Sequence, residues 1–204
     1  MMPASTLSVE RHAPSLGAHR WYVTSKVMAE QTKITFTIKS FTARYDIVED
    51  RLRLDAIDPQ GNKQSIFMTR RLTDQVIPVL VSHLEAKAPT GVPNDISQSM
   101  SQLNARLERQ AGEATPTVQI EAQTPRWLCK TVHFKKSNRD LIIIFTDDAE
   151  INAVISMTDS SVRIVLDILN DLYAKSGWPA HAVPGWLNSD RGEISGGADK
   201  TKLN

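Results

Sequence analysis

Two stretches of this chain keep step at an offset of 89 positions, the distance from Leu52 to Leu141, without a gap. Asp58 falls on Asp147, Ile66 on Ile155, and Met68-Thr69 on Met157-Thr158. Val76 then falls on Val165, Leu80 on Leu169 and Leu84 on Tyr173. The identities are few. What carries the reading is that turns, strand phase, helix cap and helix stripe stay in register together.

Each stretch predicts strand, strand, strand, helix. In the first, Ile34, Phe36 and Ile38 alternate with polar residues. The phase then slips one place, and Phe41, Ala43, Tyr45 and Ile47 carry it on. Such a slip predicts a bulge or a bend near Ser40. Leu52, Leu54 and Ala56 make a second strand, Asp58-Pro59-Gln60-Gly61-Asn62 a turn, and Lys63 to Met68 a third strand. Thr69 or Thr73 can cap a helix with the stripe Leu72, Val76, Val79, Leu80 and Leu84, with a kink or late start expected from Pro78. The second stretch repeats this from Lys130. Its strand from Asp140 to Thr146 is nearly all apolar, which predicts a central strand covered on both faces. Thr158, Ser160 or Ser161 caps a helix striped by Val162, Val165, Leu166, Leu169 and Leu172.

Neither unit has much core alone, so the two are expected to pack together. The expected fold class is α+β: an internal duplication of a strand-strand-strand-helix unit forming one pseudo-twofold domain. The divisions are residues 1–28, read as a disordered extension with Met28 as the natural start; 29–88, the first unit; 89–125, a linker; 126–177, the second unit; and 178–204, a Trp/Pro segment and polar tail. Within the linker an amphipathic helix is expected over 95–111, capped by Asn94 or Asp95. Ile96, Met100, Leu103 and Leu107 follow at spacings of 4, 3 and 4 on an otherwise polar helix, a narrow seam that can dock on its own domain or on a partner. Trp178 and Trp186, set among prolines, can likewise clasp the core or anchor a partner.

Composition narrows the function. Lys and Arg number 24 against 23 Asp and Glu, a net charge of +1, so the chain as a whole has no bias toward polyanions. A single cysteine, Cys129, excludes a disulfide framework and a Cys-based zinc site, and is read as a buried thiol. Five histidines show no metal-ligand spacing. The Asp147-Asp148-Ala149-Glu150 cluster falls on a hairpin turn and is read as solvated. No phosphate loop, nucleophile elbow or zinc-protease motif occurs. The expectation is therefore a protein without enzymatic activity, metal or cofactor. No segment approaches the ~20 apolar residues of a membrane span, so no membrane partner is expected; the start shows no apolar signal-peptide run, which with the lone cysteine points to the cytoplasm.

A local basic surface remains open. Lys33, Lys39, Arg44, Arg51, Arg53, Lys130, Lys135 and Lys136 occupy strands, with Asp46, Glu49, Asp50 and Asp55 interspersed. Of the aromatics, Trp21, Tyr22 and Trp127 lie outside the strand phases and are candidates for stacking on bases. Doubled strand-rich units ending in a helix, with a strand-to-helix junction such as Ile155-Ser156-Met157-Thr158, resemble the PUR-repeat and Whirly group of single-strand nucleic-acid-binding proteins. That resemblance implies an alternative function. The leading expectation is a binding or assembly protein acting through protein–protein contacts, with a protein partner or self-association through Ile96, Met100, Leu103, Leu107, Trp178 and Trp186. The alternative is single-stranded nucleic acid held by the basic strand residues.

Overall fold

The backbone begins as a strand that changes sheets. In the computed structural model, which describes residues 36–111, 116–137, 139–147 and 152–188, β1 (Phe36–Thr37) and β2 (Ser40–Asp46) are separated only by Ile38 and Lys39. Yet they belong to different sheets. The Ile38 amide bonds Val154 O at 2.8 Å, and the next amide, Lys39, bonds Ile57 O at 2.8 Å. The predicted bend near Ser40 is therefore the hand-over of one strand between two sheets. The phase slip has its cause here, because each half keeps its apolar residues toward a different sheet's inner face.

The remaining elements follow in order. They are β3 (Arg51–Ile57), β4 (Lys63–Met68), α1 (Arg70–Glu85), α2 (Asn94–Ala111), β5 (Arg126–Leu128), β6 (Thr131–Lys136), β7 (Leu141–Thr146), β8 (Asn152–Met157) and α3 (Asp159–Ser176), with a short 3-10 turn at Gly185–Leu187. The fold is α+β, with two four-stranded mixed sheets ordered β2-β3-β4-β5 and β1-β8-β7-β6. The short β5 reciprocates β1, pairing parallel to β4 of the first sheet, as β1 pairs parallel to β8 of the second. The hand-over repeats too: the Cys129 amide bonds Phe67 O, and the Lys130 amide bonds Thr146 O.

Local chemistry explains the elements. Leu52 pairs with Met68 and Leu141 with Met157, so the offset of 89 holds in strand register. It holds again at the caps. Thr69 accepts the Leu72 amide and Thr158 the Ser161 amide, each three residues on. Asp58 ties the β3–β4 turn by accepting the Gln60 and Asn62 amides at 2.9 and 2.8 Å, and Gly61 takes φ +90. α1 starts at Arg70 and continues through Pro78 to Glu85 without the late start expected from that proline. Its buried stripe uses Ile77, while Val79 is exposed, because the receiving surface lies one position round from the predicted one. β7 is central and mostly buried, as its apolar run predicts.

The core gathers both halves: Leu52, Leu54 and Ile66 from the first sheet, Leu141, Ile143 and Phe145 from the second, and Leu80, Leu84, Leu166 and Tyr173 from α1 and α3. α3 packs on β2 and α1 on β6, so each helix covers a strand of the other half. Among the described residues no helix is long and apolar enough to cross a membrane. The expected Met28 start, the extension 1–28, Lys33, Trp21, Tyr22, residues 148–150 and the tail beyond Asn188 lie outside the described residues.

Candidate functional site

An amphipathic helix ordinarily buries its apolar stripe. α2 does the reverse. Its buried side chains are Gln98, Gln102 and Ala105. Ile96, Met100, Leu103 and Leu107 are exposed at 54, 64, 41 and 53%. Four of the eight large apolar side chains left exposed among the described residues thus form one seam.

The reason is the surface beneath α2. It presents backbone carbonyls and charged groups that apolar side chains cannot satisfy. Gln98 Nε2 donates to Leu84 O at 3.3 Å, and Gln102 Nε2 to Arg163 O at 3.2 Å. Arg163 Nη2 donates to Gln98 Oε1 at 2.7 Å. Arg106 donates to Asp167 Oδ1 and to Leu187 O, both at 2.8 Å. Burial lowers the pKa of the Arg163 guanidinium, with Asp159 opposing that shift. These bonds fix the helix and turn its seam outward.

The two tryptophans lie against the domain itself. Trp186 is 5% exposed, with Nε1 donating to Glu85 Oε1 at 3.1 Å and the Arg163 guanidinium 5.8 Å from its ring centroid. Trp178 meets Tyr45 and Tyr173 edge-on, at centroid separations of 5.6 and 5.4 Å, and donates from Nε1 to Asp50. Of the six residues singled out for partner contact, the structure leaves the four on α2 open and gives Trp186 an internal position. Asp50, which also accepts from Tyr45 Oη at 2.7 Å, is held below its ordinary pKa by these Tyr45 and Trp178 bonds. The same contacts steady a hairpin tip whose Ile47 and Val48 are 81 and 89% exposed. Alternation alone places Ile47 in the strand, whereas the structure puts it with Val48 in the turn.

The basic candidates do not converge. Register places Arg44, Arg51 and Arg53 on the outer face of the first sheet. There Arg53 pairs with Asp46 and Asp55, Arg44 with Asp55, and Arg51 with Glu49. Lys135 and Lys136 are neighbours on β6, so they point to opposite faces of the second sheet. Lys39 rims an open groove of about 660 Å³ between β2 and α3, floored by Phe41, Ile164, Val165 and Ile168. Lys130 rims a smaller one of about 360 Å³ between β6 and α1. Trp127 is buried, with Nε1 bonded to Gln64, and offers no free ring face.

His83 is buried, with Nε2 3.0 Å from Asp159 Oδ1, a contact that a separation of 76 positions hid from the sequence. The pair resembles the base-and-orienter half of a hydrolytic triad. Among the described residues its other nitrogen, Nδ1, has no hydrogen-bond partner. Cys129 is buried and donates from Sγ to Thr131 O. The described residues contain no group of three or more potential metal ligands.

Asp159 stands in the first turn of α3 and also accepts from Lys87 Nζ at 2.7 Å. Burial acts to raise its carboxyl, but the Lys87 and His83 bonds together outweigh burial and hold it below its ordinary pKa. A lowered folded-state pKa contributes stability above the unfolded value, and that contribution is lost as pH falls through the folded one. Below about pH 4 the unfolding free energy of Asp159→Asn should therefore fall less steeply than that of the wild type. Denaturant titrations at stepped pH check this, and parallel curves would refute it.

Comparison with known proteins finds no family model, no curated protein and no solved structure that matches this chain. The resemblance to the PUR-repeat and Whirly group thus rests on element order and the strand-to-helix junction alone.

Proposed function

We propose that this is a non-enzymatic binding or assembly protein of the cytoplasm that works through protein–protein contact, with the outer face of α2 as its contact surface. One observation carries this reading: α2 is docked through its polar side chains, leaving a four-residue apolar seam in water. An isolated exposed apolar residue needs no explanation, whereas a contiguous seam on a firmly seated helix is what a partner helix or groove recognises. No cofactor or metal is required by it.

The test is the double substitution Met100→Asp and Leu103→Asp. Both positions are exposed, so thermal stability should change little, by about 0.5 kcal/mol at each. The tagged wild-type protein purified from its own cell should bring a defined species with it, and the double variant should lose that species. An unchanged co-purification profile would sink the reading. Nucleic-acid binding predicts a different result: retention on single-stranded DNA that weakens steeply with salt. The pairing of Arg44, Arg51 and Arg53 with carboxylates on their own face favours the protein-contact reading.

A further inference from the structure

We infer that the occupant of the α2 seam is the same seam on a second copy of this chain, packed antiparallel about a twofold axis; this rests on the contact reading above and names its partner. The spacing 4, 3, 4 is palindromic. When two copies of α2 run antiparallel about a point between Met100 and Leu103, Ile96 of one meets Leu107 of the other, and Met100 meets Leu103. Every apolar side chain of the seam then faces an apolar side chain, with none left over.

The flanks fit a self-pairing as well. In heptad terms, with Ile96 and Leu103 at d and Met100 and Leu107 at a, the flanking positions hold Ser97, Ser99, Asn104 and Arg106. In an antiparallel pair each kind of flank runs beside its own copy, so charged flanks would meet like charges. Three of these four side chains are neutral, and the fourth is committed to Asp167 at 2.8 Å. A heteromeric coiled coil is ordinarily selected by charges at these positions, and the one charge here, Arg106, is already held by Asp167. At the ends, Asp95 of one copy comes to the same end as Arg109 of the other, and the two helix dipoles oppose.

Size sets the strength. α2 has 18 residues, and at 1.5 Å per residue it is ~27 Å long. Two such seams bury on the order of 1,000 Å² in total, the low end for a specific interface. The geometry therefore points to a reversible dimer with a dissociation constant of roughly micromolar order.

The test is sedimentation equilibrium of the full chain over a hundredfold concentration range, joined to cysteine trapping. The weight-average mass should climb from that of one chain, 22.7 kDa, toward twice that value. Leu103→Asp should weaken the association by about a hundredfold or more, since it buries a charge on both sides of the axis. For trapping, Ile96→Cys and Leu107→Cys proteins are mixed under mild oxidation, Cys129 being buried at 2% exposure and out of reach. The mixture should form an Ile96→Cys to Leu107→Cys disulfide, and neither variant alone should crosslink. Crosslinking of Ile96→Cys to itself would mean a parallel pairing and overturn the proposal. A one-chain mass at every concentration would overturn self-association. It would leave the contact reading standing if the Met100→Asp and Leu103→Asp protein still lost its cellular species.

Discussion

Trp186→Ala should destabilise the protein by about 3–5 kcal/mol, a large share of what holds a domain of ordinary stability together. The ring is 5% exposed and adjoins the fully buried Leu187. Its indole nitrogen satisfies Glu85 of α1, and its carbonyl lies 3.5 Å from Ser99 Oγ of α2. Its π-face lies under the Arg163 guanidinium, itself only 8% exposed. Removing the ring leaves a cavity and takes one of the few compensating contacts from a buried cation that stays charged at any physiological pH. Arg163 also holds Gln98, so the seat of α2 should loosen along with the core. Urea unfolding measures the first effect, and hydrogen exchange of the α2 amides measures the second. Trp186→Phe keeps most of the apolar volume and loses the bond to Glu85, so its penalty should be about 1 kcal/mol. If the alanine variant fell within 1 kcal/mol of the wild type, Trp186 would not be the keystone of this junction.

The contrast between seam and seat shows where sequence periodicity succeeds and where it stops. The strand-strand-strand-helix order, both threonine caps and the central place of β7 were readable because each depends on neighbours in the chain. A cap needs an amide three residues on, and a strand phase needs its own alternation. The seam itself was readable for the same reason. Which side of α2 would be buried was not, because that depends on carbonyls of Leu84, Arg163 and Leu187, which lie 14, 61 and 81 positions from the α2 residues they bond. The exchange of β1 and β5 between sheets was half readable. The phase slip near Ser40 marked the place, but only long-range pairing showed that the chain changes sheets there. The His83–Asp159 contact left no local trace at all, whereas the ion pairs of the first sheet showed only as carboxylates interspersed among the basic residues.

Those ion pairs lead to the second large effect. Asp55→Ala should cost about 3 kcal/mol and should raise the protein's affinity for polyanions. Asp55 is 1% exposed on the outer face of the first sheet. It accepts Ser65 Oγ at 2.8 Å and has Arg53 Nε at 3.1 Å and Arg44 Nε at 3.3 Å. Neither guanidinium contact is an aligned hydrogen bond; both are close charge pairs. Losing the carboxylate strands a buried hydroxyl and leaves two cations facing each other across the β2–β3 pairing of Arg44 with Arg53. Both arginines are partly exposed, at 41 and 21%, so water relieves part of the penalty and keeps it below that of a fully buried pair. The electrostatic consequence is larger than the change in net charge suggests. Arg44, Arg51 and Arg53 pair here with Asp46, Glu49 and Asp55, while register puts Lys63 and Arg126 on the same face, so these carboxylates hold down its excess of positive charge. Asp55→Ala shifts the balance by one charge, and the Asp46→Ala, Asp55→Ala pair by two. Retention on single-stranded DNA, measured at a temperature where each variant is folded, should rise in that order and vanish again with added salt. Equal retention by all three proteins would mean that pairing with these carboxylates is not what masks the arginines. If instead the wild type already bound tightly, the basic residues would be the site and the carboxylates its supports.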